Sequence, residues 1–343
     1  MEKVKFSAGS IDNLAPPYSP NEDIMPRIGY TLLSVIMAVF CTAAVILNVT
    51  VIAVTIRHGQ LRQPLNYALV NLAVADLGVT LTGGMLTVVT NATGYFSLGR
   101  IACVTEGFAV AFFGIAALCT VAVIAVERFM VVCKPLGSLM FQTRHAVAGV
   151  AGSWVWSFAW STPPLFGWGS YQFEGVGTSC APDWYSRDPG NVSYILCYFL
   201  LCFAIPFAII VISYSRLLWA LRQTPDVGRG RATARAEVQV ARMVVLMVLA
   251  FLLTWLPYAA FALAVIIDRD LHIDPIIATV PMYLAKSSTV FNPIIYIFMN
   301  RQFRDFAVPV LLCGRNPWAS EPEGSEAETA VSTVSQSAKV SPA

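Results

Sequence analysis

The sequence predicts an all-α membrane protein: a seven-transmembrane helix bundle with a short cytoplasmic amphipathic eighth helix. Three observations carry this. Apolar residues make up 57% of the 343 and charged residues only 12%, whereas soluble domains are roughly a quarter charged. The mean hydropathy is +0.65. Seven stretches reach the about 20 mostly apolar residues that a bilayer span needs, and no domain-sized soluble segment separates them.

The elements follow in order. Residues 1–29 form a polar, Pro-bearing tail without the short apolar core of a cleavable signal peptide. The first span is therefore expected to act as its own insertion signal. The spans read as roughly 30–56, 64–90, 103–127, 146–168, 193–220, 243–267 and 275–299, one membrane domain over 30–299. Pro206, Pro257 and Pro293 lie inside spans five, six and seven. Each removes a helix hydrogen bond, so hinges are expected there. Residues 300–313 alternate charge with Phe303, Phe306 and Val308, the pattern of a helix lying on a leaflet. Residues 314–343 are rich in Ser, Thr, Glu and Gly and read as a disordered tail. Thr329, Ser332, Thr333, Ser335 and Ser337 are its candidate phosphorylation sites.

Orientation follows from the short loops. Arg57, Arg62, Arg128, Lys134, Arg144, Arg229, Arg231 and Arg301 fall on one side. Glu174, Asp183, Asp188, Asp268, Asp270 and Asp274 mark the other. The basic side is expected to be cytoplasmic, which puts the N-terminus outside. Cys103 then opens span three on the outer side, and Cys180 lies in the outer loop after span four. Both meet an oxidising compartment, so a disulfide is expected between them. Cys41, Cys119, Cys133, Cys197 and Cys202 sit in or beside apolar runs and read as small buried residues. Asn91-Ala-Thr93 and Asn191-Val-Ser193 are outer-side sequons and candidate glycan sites; Asn48-Val-Thr50 lies inside span one and is discounted. Cys313 is a candidate for palmitoylation.

Ionisable groups inside spans are expensive and rarely idle. Here they are Asp76, Glu106, the Glu127–Arg128 pair and Lys286. Lys286 sits mid-span, too deep to reach the interface easily. Burial disfavours the charged ammonium, and a neutral amine is a nucleophile toward aldehydes. The residue thus suits a Schiff base; the other reading is a structural pair with a membrane carboxylate. A protonated Schiff base needs a counterion, and Glu106 and Glu174 are the two candidates. Trp255, Tyr258, Phe251, Phe203, Trp168 and Tyr171 are candidate walls for an elongated apolar ligand, although aromatics in spans are also packing and interface residues. Asp76, Asn48 and Asn292 are a candidate polar network for water or Na⁺. Glu127 and Arg128 are a candidate pair holding a resting state. No P-loop, hydrolase motif or metal cluster is present, and His58, His145 and His272 are scattered. Nothing suggests a nucleic-acid partner.

Together these residues resemble the helix landmarks of rhodopsin-like G-protein-coupled receptors: Asn48, Leu72-Ala-Val-Ala-Asp76, Glu127-Arg128-Phe129, Trp154, Trp255-Leu-Pro257-Tyr258 and Asn292-Pro293-Ile-Ile-Tyr296. Lys286, six residues before Asn292, is similar to the retinal lysine of opsins. Glu106, three residues after Cys103, matches the vertebrate opsin counterion, and Glu174 the loop carboxylate that serves in bistable opsins. The resemblance adds Gly114 to the retinal pocket. Asn71 to Val79, Glu106 to Cys119 and Cys313 to Trp318 resemble the parapinopsins, non-visual pineal opsins. Phe129 and Thr254 depart mildly from the family pattern, and Cys202 stands where many visual opsins carry His.

The resemblance implies 11-cis-retinal in the dark, all-trans-retinal after light, and ultraviolet or short-wavelength, photoreversible absorption. It implies an inhibitory or transducin-type heterotrimeric G protein, a receptor kinase and arrestin as partners. The expected location is the plasma membrane or a photoreceptor outer-segment membrane. A retinal photoisomerase would use Lys286 too and remains the alternative. A light-driven pump or channel lacks the Glu-Arg-Phe and Asn-Pro-x-x-Tyr landmarks.

Overall fold

Proline, glycine and aspartate set the helix ends. The computed structural model describes residues 24–61, 63–133, 143–223, 231–268, 271 and 273–315. Helix α1 (Arg27–Arg57) starts after Pro26 and forms the first span. The second span begins with Pro64 at the first turn of α2 (Pro64–Val79), where no helical N–H is needed. It passes through a π-helical turn (Thr80–Gly84) and continues as α3 (Met85–Thr93). A side chain at Gly83 would meet Val110, and one at Gly84 would meet Cys41, so these glycines let the second span lie close to its neighbours. Gly94, at φ 84°, stops α3 with its N–H on the carbonyls of Thr90 and Asn91.

Helix α4 (Gly99–Cys133) is the third span. Its 35 residues rise about 50 Å, more than a bilayer core needs upright. Helix α5 (Thr143–Ser161) is the fourth. It ends earlier than the apolar run suggests: Pro163 and Pro164 turn the chain into a 3-10 segment (Pro163–Phe166). The expected span over 146–168 is corrected accordingly. Strands β1 (Tyr171–Glu174) and β2 (Ser179–Pro182) then pair antiparallel, with Glu174 opposite Ser179.

The fifth span is α6 (Pro189–Tyr198), a π-helical turn (Phe199–Ala204) and α7 (Ile205–Gln223). Pro206 therefore lies just past the π turn. The sixth span is α8 (Arg231–Ile267), with Pro257 inside it. The seventh is α9 (Pro275–Met299), with Pro281 and Pro293 inside. Asp188-Pro189 and Asp274-Pro275 begin α6 and α9 alike. Asp188 accepts from the N–H groups of Gly190 and Asn191, Asp274 accepts from that of Ile276, and each proline needs no helical partner. Helix α10 (Arg301–Leu311) follows, capped by the Asn300 side chain at Phe303 N. It buries Phe303, Ala307 and Val308, and Phe306 stacks on His58 at 4.1 Å.

Among the described residues, five of the spans are long and apolar enough to cross a membrane by length and composition alone. The fourth and seventh are more polar, the seventh because it carries Lys286, Ser287, Ser288, Thr289 and Asn292. Large apolar side chains such as Leu253 and Val155 face outward from the bundle. In water they would be a liability; against lipid they need no partner. The largest apolar core lies at the Arg128 end and joins Leu69, Leu72, Ile124, Leu217, Met247 and Tyr296.

Candidate functional site

The hairpin β1–β2 closes the other end of the bundle, and four ties hold it there. Cys180 is disulfide-bonded to Cys103 on α4, with a Cα–Cα distance of 5.3 Å. Thr90 Oγ1 donates to the Thr178 carbonyl at 2.6 Å. Thr178 Oγ1 donates to Asn91 Oδ1 at 3.1 Å. The Val176 N–H donates to Thr279 Oγ1 at 3.0 Å. The turn needs Gly175, which has φ 57° and lies so near Thr279 that a Cβ would collide with it.

Beneath this lid Lys286 is buried. Its Nζ donates to Ser179 Oγ at 2.5 Å, Thr87 Oγ1 at 2.6 Å and Glu106 Oε1 at 2.9 Å. A β2 hydroxyl, a second-span hydroxyl and a third-span carboxylate thus converge on one amine. Glu106 is fully buried, and its Oε2 has no hydrogen-bond partner among the described residues. Glu174 reaches the amine only indirectly. Ser179 Oγ lies 3.5 Å from Glu174 Oε1, and Tyr258 Oη donates to Glu174 Oε2 at 2.7 Å. Burial pushes the Glu174 carboxyl up to about 7, with Lys286 and the Tyr258 hydrogen bond pulling the other way.

Lys286 stands at the edge of an apolar cavity. Its walls include Phe203, Phe251, Trp255, Tyr258 and Gly114, and Glu174 also borders it. Gly114 is small because Trp255 lies against it: a Cβ there would be 3.2 Å from the indole. Trp255 Nε1 donates to Ser288 Oγ at 3.0 Å, which orients the ring. An amine next to a carboxylate, opening onto an apolar, aromatic-lined cavity, fits an apolar aldehyde of the retinal kind. Lys286 would hold it, and Glu106 would meet the charge.

Two expected wall residues lie elsewhere. Trp168 does not border the cavity; it is 40% exposed and donates to Ser193 Oγ at 3.0 Å. The early end of α5 and the left-handed turns at Gly167 and Gly169 carry it outward. Tyr171 is buried behind the wall. It packs at Gly107 and donates to the Ser161 carbonyl at 2.7 Å. The walls instead include Trp184, Tyr198 and Phe199, which the sequence reading did not single out. It also missed Thr87 and Ser179. Only Ser179 carried a usable signal, its place beside Cys180.

At the opposite end Glu127 and Arg128 are paired. Asn292 Nδ2 donates to Asp76 Oδ2 at 3.2 Å. Asn48 does not join them directly, which corrects the expected three-residue network. Its Nδ2 donates to the carbonyls of Ala44 and Thr289, each at 2.9 Å. The physical reason lies four residues on. Pro293 has no N–H, so Thr289 O lacks its helical donor and takes one from the first span. Tyr296 is buried edge-on to Phe303, at 5.3 Å. Among the described residues no group of three or more His, Cys, Asp or Glu side chains converges as a metal site.

Both candidate glycan asparagines are buried in the fold. Asn91 is fully buried, and its Nδ2 donates to Thr87 O and Tyr283 Oη. Asn191 is buried, and its Nδ2 donates to Asp183 O at 2.7 Å. A sequon is a local triplet and says nothing of such burial. Cys313 is exposed, just after α10. The five tail hydroxyls lie outside the described residues.

Comparisons with known proteins place this geometry. Residues 47–296 match the 7 transmembrane receptor (rhodopsin family). Parapinopsin of Ictalurus punctatus is 70% identical over 327 residues, 94% of each chain. The chain belongs to the opsins of the rhodopsin family. Pinopsin of Columba livia is 48% identical, covering 85% of this opsin and 84% of its own length. The crystal structure of squid rhodopsin superposes with a TM-score of 0.79 at 28% identity, covering 93% of this opsin and 94% of that chain. The opsin is thus a multi-pass membrane receptor for light and not an enzyme. Membership implies a retinal chromophore and a heterotrimeric G protein as partner.

Proposed function

We propose that this opsin is a non-visual, photoreversible sensor of ultraviolet or short-wavelength light that activates an inhibitory or transducin-type G protein. The observation that carries the reading is Lys286, buried 2.9 Å from Glu106 at the edge of the aromatic cavity. Lys286 would hold retinal through its Nζ. When bound, retinal supplies light absorption and, on going from 11-cis to all-trans, a change of shape. The spectral and photoreversible parts rest on the resemblance to parapinopsins. The hairpin end faces outside and the Arg128 end faces the cytoplasm, in a plasma or outer-segment membrane.

The residues divide the work. Glu106 and Glu174 offer two carboxylates near one amine, so the positive charge has two places to be answered. Trp255, wedged between Gly114 and Ser288, is placed to register a change in cavity shape. Pro257, two residues on, interrupts the hydrogen-bond ladder of α8, so the sixth span can swing there. Movement of that span exposes Arg128, released from Glu127, to the G protein. A ligand shifts such a two-state balance only by fitting the two states differently, and a change in the shape of the bound ligand would supply that difference. Arrestin and a receptor kinase acting on the tail hydroxyls would end the signal.

The test is Glu174→Gln, with the photoproduct spectrum as readout. A shift of the visible photoproduct band into the ultraviolet supports Glu174 as its counterion. An unmoved band assigns that role to Glu106.

A further inference from the structure

We infer that Trp184 is a positioning residue whose indole N–H sets the direction of the hydrogen bond from Tyr258 to Glu174. Trp184 follows β2 by two residues and is 5% exposed. Its Nε1 donates to Tyr258 Oη at 3.1 Å, and its ring meets the Tyr258 ring edge-on at 5.7 Å. Tyr258 Oη lies 2.7 Å from Glu174 Oε2.

An indole nitrogen donates and cannot accept, whereas a phenol does both with one proton of its own. Trp184 therefore donates a hydrogen bond to the Tyr258 oxygen, and Tyr258 turns its own O–H to Glu174. A carboxylate accepts that proton with both oxygens free of hydrogen; a carboxylic acid protonated on Oε2 would oppose it. Trp184, which touches neither Lys286 nor Glu174 by hydrogen bond, thus favours the ionised form of Glu174 through Tyr258.

The setting makes one hydrogen bond matter. Glu174 is faced by Lys286 from α9, Glu106 from α4, Tyr258 from α8 and Ser179 from β2, with the Tyr185 ring also nearby. Burial brings its carboxyl to about 7, so both protonation states lie within reach near neutrality. Trp184→Phe would free the Tyr258 oxygen to accept from a protonated Glu174.

The inference rests on the proposed role of Glu174, and its test separates the two. The full-length protein with 11-cis-retinal is titrated, with the infrared band of the protonated Glu174 carboxyl as readout, assigned by its loss in Glu174→Gln. Trp184→Phe is expected to raise the midpoint by about one pH unit, a tenfold gain in proton affinity. In a Tyr258→Phe background the same substitution should move nothing further. Trp184→Tyr keeps an aromatic ring and is expected to raise the midpoint by less; it decides the matter if Trp184→Phe does not fold. An unmoved midpoint, or an equal shift without the Tyr258 hydroxyl, overturns the inference. A wild-type protein that forms no pigment faults the proposed function instead.

Discussion

Lys286 Nζ donates to Glu106 Oε1 at 2.9 Å across 180 residues of sequence, and both side chains are sealed inside the bundle. Removing one member of such a pair leaves a buried charge unanswered, at a cost of about 3–5 kcal/mol. Glu106→Gln without retinal is therefore expected to lower the thermal midpoint markedly. A paired substitution, Glu106→Gln with Lys286→Met, should recover much of the loss. Equal stability of the single and double variants would argue that the pair carries no such energy.

Glu174 makes stability depend on pH. Its carboxyl holds a proton up to about 7 in the folded protein against 4.5 ordinarily. Between those values the folded state binds more protons than the unfolded one, so stability falls as pH rises. Glu174→Gln removes this slope. The variant should gain stability relative to the wild type as pH climbs through that window. Thermal melts in detergent across the window check it; parallel curves contradict it.

Asn48 and Pro293 are coupled through Thr289 O. Asn48→Ala leaves that carbonyl without its donor from the first span, a loss of about 1–3 kcal/mol. Pro293→Ala restores an N–H four residues on, so the combined variant should be less impaired than the sum of the two. Additive losses in thermal melts would mean that the coupling is absent.

Much of this arrangement was legible in the sequence, for physical reasons that also mark its limits. A span must be long and apolar, so the seven runs stand out, and an ionisable residue within one, such as Lys286 or Glu106, stands out further. Span four was read too long because the run through Trp168 stays apolar after Pro163 and Pro164 have ended the helix. The turns after Pro164 carry Trp168 outward, and the place of Trp184 depends on how the hairpin folds back. Ser179 and Thr87 meet Lys286 across 107 and 199 residues, a distance no local pattern spans. Asn48 is polar within an apolar run, which marks it; that its partner is a backbone carbonyl vacated by proline shows only in three dimensions. The π-helical turns at Thr80–Gly84 and Phe199–Ala204 left no periodicity to read.

The most direct measurement is the absorption spectrum of the purified protein with 11-cis-retinal, beside Lys286→Ala. It is taken in the dark, after ultraviolet light, and again after long-wavelength light. The expected result is a pigment that needs Lys286, absorbs in the ultraviolet or at short wavelength, and switches between two stable bands. A pigment that bleaches would keep the attachment site but contradict photoreversibility. Release of 11-cis-retinal over repeated cycles would point to a photoisomerase. The absence of any Lys286-dependent pigment would mean that Lys286 does not hold retinal and that the protein is not a light sensor of this kind.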